Sequence, residues 1–250
     1  MQTHATPEDF IPAPGFLENR TLLITGGGGG LGKATAQACA SYGANVILLG
    51  RTLAKLEAVY DQITDAGCPE PALYPMNLEG AASKDYEDLA GVLQTEFGKL
   101  DGLIHNAAFL GSLTPTEHYE AELWLRVMQV NVNGPMMMTQ ALLPLLRASA
   151  TASLTFVSDR MREPPKPYWG AYAVSKYAQF AFMQTLASEA ALDRRLRVNA
   201  YDPGPMNTRL RTQAYPGIDP NTWAKPEERT RGLLYLLSEA SNGVNGELVV

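Results

Sequence analysis

The chain has 250 residues, a net charge of −6 at pH 7, 46% hydrophobic residues and 18% charged residues. These values are typical of a soluble globular protein with a sizeable core, built as one large α/β domain or two small ones. The acidic balance and the lack of a basic tract argue against nucleic acid and anionic membranes as partners.

The apolar runs, the N-terminal segment and the few cysteines and histidines narrow the class of protein further. No apolar run approaches the roughly 20 residues that cross a bilayer. The polar, proline-containing N-terminus lacks the features of a signal peptide, so residues 1–15 are expected to form a loose arm. Cys39 and Cys68 are too few for a disulfide framework, and three scattered histidines show no metal-ligand spacing. We therefore expect a cytoplasmic protein without a metal site.

Short apolar runs alternate with longer helical patterns along the chain. Strands are predicted at about 21–25, 45–49, 72–74, 100–104, 154–157, 196–200 and 247–250. Helices are predicted at about 31–42, 53–65, 83–97, 120–147, 171–192 and 228–239. Apolar strands that alternate with helices predict a mostly parallel seven-stranded sheet with helices on both faces. Right-handed crossovers make this a doubly wound, Rossmann-type domain, which we expect to span residues 16–250.

A glycine-rich turn, TGGGGGLGK, joins the first predicted strand to the first predicted helix. Glycines let backbone amides approach a pyrophosphate closely, and a helix N-terminus adds partial positive charge. The run admits two alignments, GxGxxG starting at Gly27 and TGxxxGxG starting at Thr25. The strand-to-helix context predicts dinucleotide binding. The binding candidates in this turn are Thr25, Gly26, Gly28, Gly29, Gly30, Leu31 and Gly32.

The turn after the second predicted strand bears on the choice of dinucleotide. Sheets that bind NAD place an acid there for the ribose 2′-hydroxyl, whereas an arginine accommodates the 2′-phosphate of NADP. This chain has Gly50 and Arg51 and no acid in the turn, and Lys33 is expected in the same crevice. We therefore expect NADP(H) rather than NAD(H). The alternative is a solvated arginine at a strand end.

Tyr172 and Lys176 lie four residues apart in the fifth predicted helix. Side chains at this spacing share one face of a helix. An ammonium group beside a phenol lowers the tyrosine pKa toward a value useful for proton transfer. The same spacing also arises by chance on surface helices. The glycine turn in the same domain favours the functional interpretation.

The Tyr172–Lys176 motif and the wider glycine spacing resemble the short-chain dehydrogenase/reductase family over about residues 16–250. The resemblance implies hydride transfer between NADP(H) and a ketone, aldehyde or alcohol, which is a small-molecule substrate. It makes Tyr172 the general acid or base and Lys176 the ligand of the nicotinamide ribose. It also implies a homodimer or homotetramer, with Met136–Met138 on a helix that packs against the partner or into the core.

Further segments are similar to family motifs in the expected order. Asn131 matches an asparagine that distorts its helix and holds a water that relays protons to the lysine, although a purely structural role stays open. Residues at about 205–226 match the substrate lid. Tyr168, Trp169, Tyr215 and Trp223 line an apolar pocket or simply pack there. The remaining cofactor-binding candidates are Asn77, Leu78, Asn106, Ala107, Ala108, Pro203, Gly204, Met206 and Thr208.

One position departs from the family pattern. The substrate-binding serine, 13 residues before the tyrosine, is replaced by Asp159, and Ser158 precedes it. A carboxylate beside a forming alkoxide is unfavourable unless it is protonated or paired, and Arg160 and Arg162 are the predicted partners. We expect Asp159 in the site with a changed or weakened activity. If the end of the strand shifts by one residue, Ser158 binds the substrate carbonyl instead. The alternative function is that of a non-catalytic nucleotide-binding sensor or scaffold.

Overall fold

The computed structural model describes residues 3–159, 164–192 and 195–250. Eight strands lie within this part of the chain, and the segments expected from apolar runs all form. The strands are β1 (Thr3–His4), β2 (Thr21–Thr25), β3 (Asn45–Gly50), β4 (Ala72–Pro75), β5 (Gly102–His105), β6 (Ala152–Val157), β7 (Leu196–Tyr201) and β8 (Leu248–Val249).

The strands form one sheet in the order β1-β8-β7-β6-β5-β2-β3-β4. Each described pairing is parallel. The chain runs outward from β2 to β4 and then returns to β5, which pairs with the other side of β2. This reversal is the switch point of a doubly wound fold, and a crevice opens beyond the carboxyl ends of the strands there.

The eighth strand is a correction to the prediction of seven. Thr3 and His4 pair in parallel with Leu248 and Val249, and the amide of Thr6 donates to the carbonyl of Val250 at 2.9 Å. The arm that the sequence predicts to be loose therefore begins as an edge strand. A strand of two residues is too short to show an alternation of apolar and polar residues, so the sequence pattern cannot reveal it.

The helices cover both faces of the sheet, as predicted. They are α1 (Gly30–Ser41), α2 (Leu53–Asp65), α3 (Ser83–Phe97), α4 (Ala121–Met128), α5 (Gly134–Ala148), α6 (Gly170–Glu189), α7 (Arg209–Ala214) and α8 (Arg231–Leu237). The single helix predicted at 120–147 is divided, because a π-helical segment, Gln129–Asn133, separates α4 from α5. Among the described residues no helix is long and apolar enough to span a membrane.

Two hydrophobic cores hold the helices to the sheet. One lies under α3, α5 and α6 and includes Leu89, Leu142 and Met183. The other lies under α1, α2 and α8 and includes Val59 and Leu236. Strands β2, β5, β6 and β7 are buried along their whole length between these cores, which explains why they read as continuous apolar runs.

Candidate active site

A cleft of about 470 Å³ lies at the carboxyl ends of the strands, around the switch point. Most of the site residues predicted from the sequence line it. They are Gly26, Gly28, Gly29, Gly30, Leu31, Arg51, Asn77, Leu78, Asn106, Ala107, Ala108, Ser158, Asp159, Tyr172, Lys176, Pro203, Gly204, Met206 and Thr208. Three predicted residues do not line the cleft, and their contacts place them behind the residues that do. They are Thr25, Gly32 and Asn131.

The glycine turn leaves room for a phosphate group at the start of α1. Gly29 has an extended backbone with φ at −178°, and a Cβ added there meets nothing within 4 Å. Gly30 adopts the left-handed region with φ at +53°. A Cβ on Gly32 would lie 2.5 Å from Asn106 Nδ2 and closer still to the carbonyl oxygen of Gly26. The turn therefore needs glycine for its own shape at Gly32 and offers open space at Gly29, as a pyrophosphate requires.

Thr25 and Asn106 hold the turn against the neighbouring strand. The hydroxyl of Thr25 accepts hydrogen bonds from the amides of Asn106 and Ala107, both at 3.0 Å. The side-chain amide of Asn106 donates to the carbonyl of Thr25 at 2.9 Å. These bonds tie the ends of β2 and β5 together. The two residues therefore support the glycine turn from behind, and we call this turn, Gly26 to Gly32, the phosphate cradle.

Two basic side chains line the end of the cleft near β3. Arg51 is there as predicted, and the second is Lys55 of α2 rather than Lys33, which is not among the lining residues. Glu79 lines the same region, and its carboxylate binds Arg126 at 2.7 Å, which balances its charge. Two cations beside the cradle fit a ribose 2′-phosphate. Lys55 lies in the first turn of α2, beyond the strand end at which the sequence rule predicts the cofactor-selecting residue.

Tyr172 and Asp159 meet in the middle of the cleft. The phenolic hydroxyl of Tyr172 donates to Asp159 Oδ2 at 3.2 Å, and the tyrosine is only 6% exposed. Burial raises the pKa of Tyr172 well above its usual range, and the Asp159 carboxylate raises it further. This direction is opposite to the lowering expected from Lys176. Arg160 and Arg162, the predicted partners of Asp159, lie outside the described residues.

Ser158 and Asp159 both line the cleft, so the two sequence alternatives are not separated by position alone. The Ser158 hydroxyl is buried and has no hydrogen-bond partner among the described residues. Its backbone amide donates to the carbonyl of Tyr201 at 2.7 Å, which continues the pairing of β6 with β7. Asp159 is the residue of the two that contacts Tyr172.

Lys176 is buried beside the tyrosine. Its Nζ donates to the carbonyl of Val157 at 2.7 Å and to Gln179 Oε1 at 3.4 Å, and it lies 5.8 Å from the centroid of the Tyr172 ring. Burial lowers the pKa of Lys176 to about 8, although Asp159 and Asp202 oppose the shift. The ammonium group is thus directed mainly toward the end of β6.

Asn131 is fully buried in the π-helical segment, so the local helix distortion expected there is present. Its side chain accepts from the amide of Phe109 at 2.8 Å and donates to Ser175 Oγ at 2.9 Å. The side chain of Gln179 donates to the backbone carbonyl of Asn131 at 3.1 Å. Gln179 therefore joins Asn131 to Lys176 directly. The sequence reading missed Gln179, although its place one turn after Lys176 on α6 was a usable signal.

A cluster of aromatic rings packs beside Tyr172 and next to α7, which lines the cleft through Arg209, Leu210 and Arg211. Trp169 lies 5.7 Å from Tyr172 and 5.8 Å from Tyr215, measured between ring centroids. The Arg211 guanidinium lies 4.2 Å from the Tyr215 centroid and 5.2 Å from that of Trp223. Arg211 also lines the cleft and was not predicted. Tyr168 is 59% exposed, so it belongs to the surface more than to this aromatic cluster.

Comparison with known proteins places the chain in a family. A family model described as short chain dehydrogenase matches residues 20–218. The chain is 38% identical over 237 residues to the uncharacterized oxidoreductase YciK of Escherichia coli strain K12, a match that covers 95% of this chain and 93% of the relative. The chain therefore belongs to the short-chain dehydrogenase/reductase family of oxidoreductases, and the predictions of family and fold class are confirmed.

Solved structures agree with this assignment. A short chain dehydrogenase from Pseudomonas syringae has a TM-score of 0.94 and 44% identity, and the match covers 96% of this chain and 98% of that one. A short chain dehydrogenase from Shigella flexneri 2a strain 301, solved as a complex with NADP, has a TM-score of 0.92 and 37% identity. That match covers 95% of this chain and 98% of the Shigella chain.

Proposed function

We propose that this chain is an NADP(H)-dependent oxidoreductase that transfers hydride between nicotinamide and a ketone, aldehyde or alcohol. The observation that carries the proposal is the meeting of Tyr172 and Lys176 with the glycine turn in one cleft. When bound, the cofactor supplies the hydride chemistry, and the protein supplies position and electrostatics.

The residues of the chain take distinct parts in this proposal. The glycine turn and the start of α1 hold the pyrophosphate, and Lys176 binds the nicotinamide ribose. Tyr172 gives its proton to the carbonyl oxygen or takes it back from the alcohol. The lid at about 205–226, with Arg211 and the aromatic cluster, covers the substrate and excludes water. Pro203, Gly204, Met206 and Thr208 hold the carboxamide end.

We propose NADP(H) over NAD(H). Arg51 and Lys55 line the cleft beside the phosphate cradle, and two positive charges favour a 2′-phosphate over a 2′-hydroxyl. A relative of the same fold from Shigella flexneri forms a complex with NADP, which supports the same choice.

We also propose that the protein works in the cytoplasm as a homodimer or homotetramer. Of the predicted interface methionines, Met138 is buried in the core and Met136 is 39% exposed. Exposed apolar side chains on α4 and α6, Leu125 at 65% and Tyr177 at 41%, give a more substantial surface for a second copy.

A second candidate function is a nucleotide-binding sensor or scaffold without turnover. The observation that favours it is the hydrogen bond from Tyr172 to Asp159, which uses the proton that a carbonyl would need. Such a protein binds NADPH and leaves every carbonyl unreduced. Measured turnover therefore separates the two candidates.

The test is the Tyr172→Phe variant, assayed with NADPH and with NADH against a panel of ketones and aldehydes. Loss of the proton donor is expected to lower kcat by at least about 100-fold while NADPH affinity stays unchanged. The matched control is Tyr60→Phe, which removes a phenol hydroxyl from α2 that binds Glu70. Full activity of the Tyr172→Phe variant would contradict the acid–base role, and tighter binding of NADH would contradict the cofactor preference.

A further inference from the structure

We propose that Gln179 is a positioning residue for Lys176, whose ammonium group it fixes between α6 and the π-helical segment. The inference rests on the proposed function, in which Lys176 binds the nicotinamide ribose. Gln179 lies one turn after Lys176 on α6, is 2% exposed and is not among the residues that line the cleft. It acts through the lysine and does not touch the cofactor.

The face of α6 that packs beside the π-helical segment carries polar side chains. Residues three and four apart share one face of a helix, and this face presents Tyr172, Ser175, Lys176 and Gln179. Each of them is at most 6% exposed. A buried polar group is costly unless it has a hydrogen-bond partner, so the partners of these side chains bear on how the helix is held.

The side-chain amide of Gln179 has one orientation that suits its neighbours. Its Nε2 donates to the backbone carbonyl of Asn131 at 3.1 Å, and its Oε1 accepts from Lys176 Nζ at 3.4 Å. A rotated amide would set its oxygen against the carbonyl oxygen and its N–H groups against the ammonium protons. The bond to Lys176 is long, but its donor is charged and buried, so the attraction persists at this distance. The Gln179 oxygen is therefore held toward the lysine.

A proline leaves the Asn131 carbonyl without its α-helical donor. In an α-helix this carbonyl would accept from the backbone amide of residue 135. Residue 135 is a proline, which has no N–H, and it follows Gly134 at the start of α5. Gln179 supplies a donor from the neighbouring helix instead. The amide is thus anchored on a backbone group that the local helix cannot satisfy in the usual way.

Ser175 makes a second contact between α6 and the same asparagine. Its hydroxyl accepts from Asn131 Nδ2 at 2.9 Å and donates to the carbonyl of Tyr172 at 2.7 Å. Ser175 and Gln179 are four residues apart, and Lys176 lies between them in the chain. Two bonds to one residue of the π-helical segment therefore hold the turn of α6 that carries the lysine.

The Lys176 ammonium has three protons. Within the described residues, two of them have acceptors, which are the carbonyl of Val157 at 2.7 Å and Gln179 Oε1. Lys176 also lines the cleft, so the third proton is left for a ligand there. A lysine has a flexible four-carbon stem, and fixing it in one conformation costs entropy. Because Val157 and Gln179 already hold the stem in the protein alone, less entropy is lost when the ribose binds.

The experiment compares two ligands of the cleft by isothermal titration calorimetry. NADPH contains the nicotinamide ribose, whereas adenosine 2′,5′-bisphosphate contains the 2′-phosphate and lacks that ribose. Gln179→Leu is expected to lower the NADPH affinity about tenfold, because the lysine loses a hydrogen bond to its charged group. Its affinity for the bisphosphate is expected to stay unchanged. Lys176→Met is the reference variant and is expected to show the same selective loss, at least as large.

Gln179→Glu separates positioning from stability. It keeps an oxygen for Lys176 and loses the donor to the Asn131 carbonyl, whereas Gln179→Leu loses both. We expect a lower Tm than wild type in both variants and a loss of NADPH affinity in Gln179→Leu alone. Gln184→Leu makes the same change at an exposed position of α6 and is the matched control. Gln179→Met, which is also apolar, replaces Gln179→Leu if that variant does not fold.

A loss confined to NADPH in Gln179→Leu and absent from Gln179→Glu supports the inference. Equal losses for the two ligands in Gln179→Leu, or equal NADPH losses in Gln179→Leu and Gln179→Glu, overturn it, since Gln179 is then a structural residue. Unchanged affinities in Gln179→Leu also overturn it, and they leave the proposed function standing when Lys176→Met weakens NADPH alone. If Lys176→Met affects neither ligand, Lys176 does not bind the ribose, and the inference falls together with that part of the proposed function.

Discussion

The pKa of Tyr172 depends more on its buried surroundings than on Lys176, four residues along the same helix. Sequence spacing predicts that Lys176 lowers the tyrosine pKa, whereas burial and the Asp159 carboxylate raise it. Desolvation penalises the charged phenolate, and a nearby negative charge adds to the penalty. The same burial lowers the pKa of Lys176 to about 8. Both groups are therefore shifted toward their neutral forms.

His105 shows the same effect and yields a prediction of pH-dependent stability. It is 1% exposed at the end of β5, with Nε2 2.8 Å from Thr139 Oγ1, and burial lowers its pKa from 6.5 to about 3. The folded protein then binds fewer protons than the unfolded chain between these values. The stability tied to the neutral ring is complete above pH 6.5 and is lost as the pH falls toward 3.

We expect His105→Gln to weaken this acid sensitivity. Between about pH 7.5 and pH 5 the wild type should lose about 2 kcal/mol more of its free energy of unfolding than the variant does. Urea unfolding at the two pH values measures the difference, and His118→Gln on the surface is the control. Equal losses in the wild type and His105→Gln would show that the ring carries no such penalty.

At the scale of elements, two glycines in the turn from β2 to α1 have different roles. One is needed for the shape of the backbone, and the other leaves open space for a ligand. A side chain on Gly32 collides with the Gly26 carbonyl and Asn106, whereas one on Gly29 meets no protein atom within 4 Å. Both positions carry glycine in the same motif, so the sequence presents them as equivalent. Their different surroundings come from the close approach of β5 to the turn.

This contrast predicts opposite behaviour of two alanine variants. Gly32→Ala is expected to lower the free energy of unfolding by roughly 1–3 kcal/mol, because the turn must shift to relieve the overlap. Gly29→Ala is expected to keep its stability and to weaken NADPH binding, since its methyl group enters the open space. Thermal unfolding and NADPH titration of both variants measure this. Equal Tm values for the two would contradict the assigned roles.

At the scale of the whole molecule, the N-terminal arm completes the sheet. His4 stacks on Tyr235 and lies 2.9 Å from its hydroxyl, and Phe10 packs edge-on against the same ring. Arg231 of α8 donates to the carbonyls of Pro7 and Phe10. The arm thus covers the edge of β8 and holds α8, which packs on the opposite core from α6.

Deletion of residues 2–10 is expected to lower the Tm by roughly 4–8 °C, equivalent to about 2 kcal/mol for a chain of this length. The exposed edge of β8 should also promote self-association. Differential scanning calorimetry and light scattering measure the two effects. His4→Ala, which leaves the strand backbone in place, should retain most of the Tm. A truncated protein as stable as the full chain would mean that the arm contributes no net stability.

The sequence by itself determined what local spacing and periodicity can encode. Alternating apolar runs and helical patterns predicted the parallel, doubly wound sheet, and the glycine turn and the Tyr172–Lys176 spacing predicted which residues meet at its cleft. These features depend on backbone geometry within one element or one turn. That geometry is the same in every helix and strand, so it can be read without knowing the neighbours.

Only the tertiary structure decided how those residues are surrounded. The hydrogen bond between Tyr172 and Asp159, the Gln179 bridge to Asn131, the position of Lys55 and the pairing of β1 with β8 all join segments far apart in the chain or depend on side-chain direction. Burial and long-range contacts set pKa values and hydrogen-bond partners, and they exist only after the elements have packed. The class of protein was therefore readable from the sequence, and the chemistry of its pocket depends on the fold.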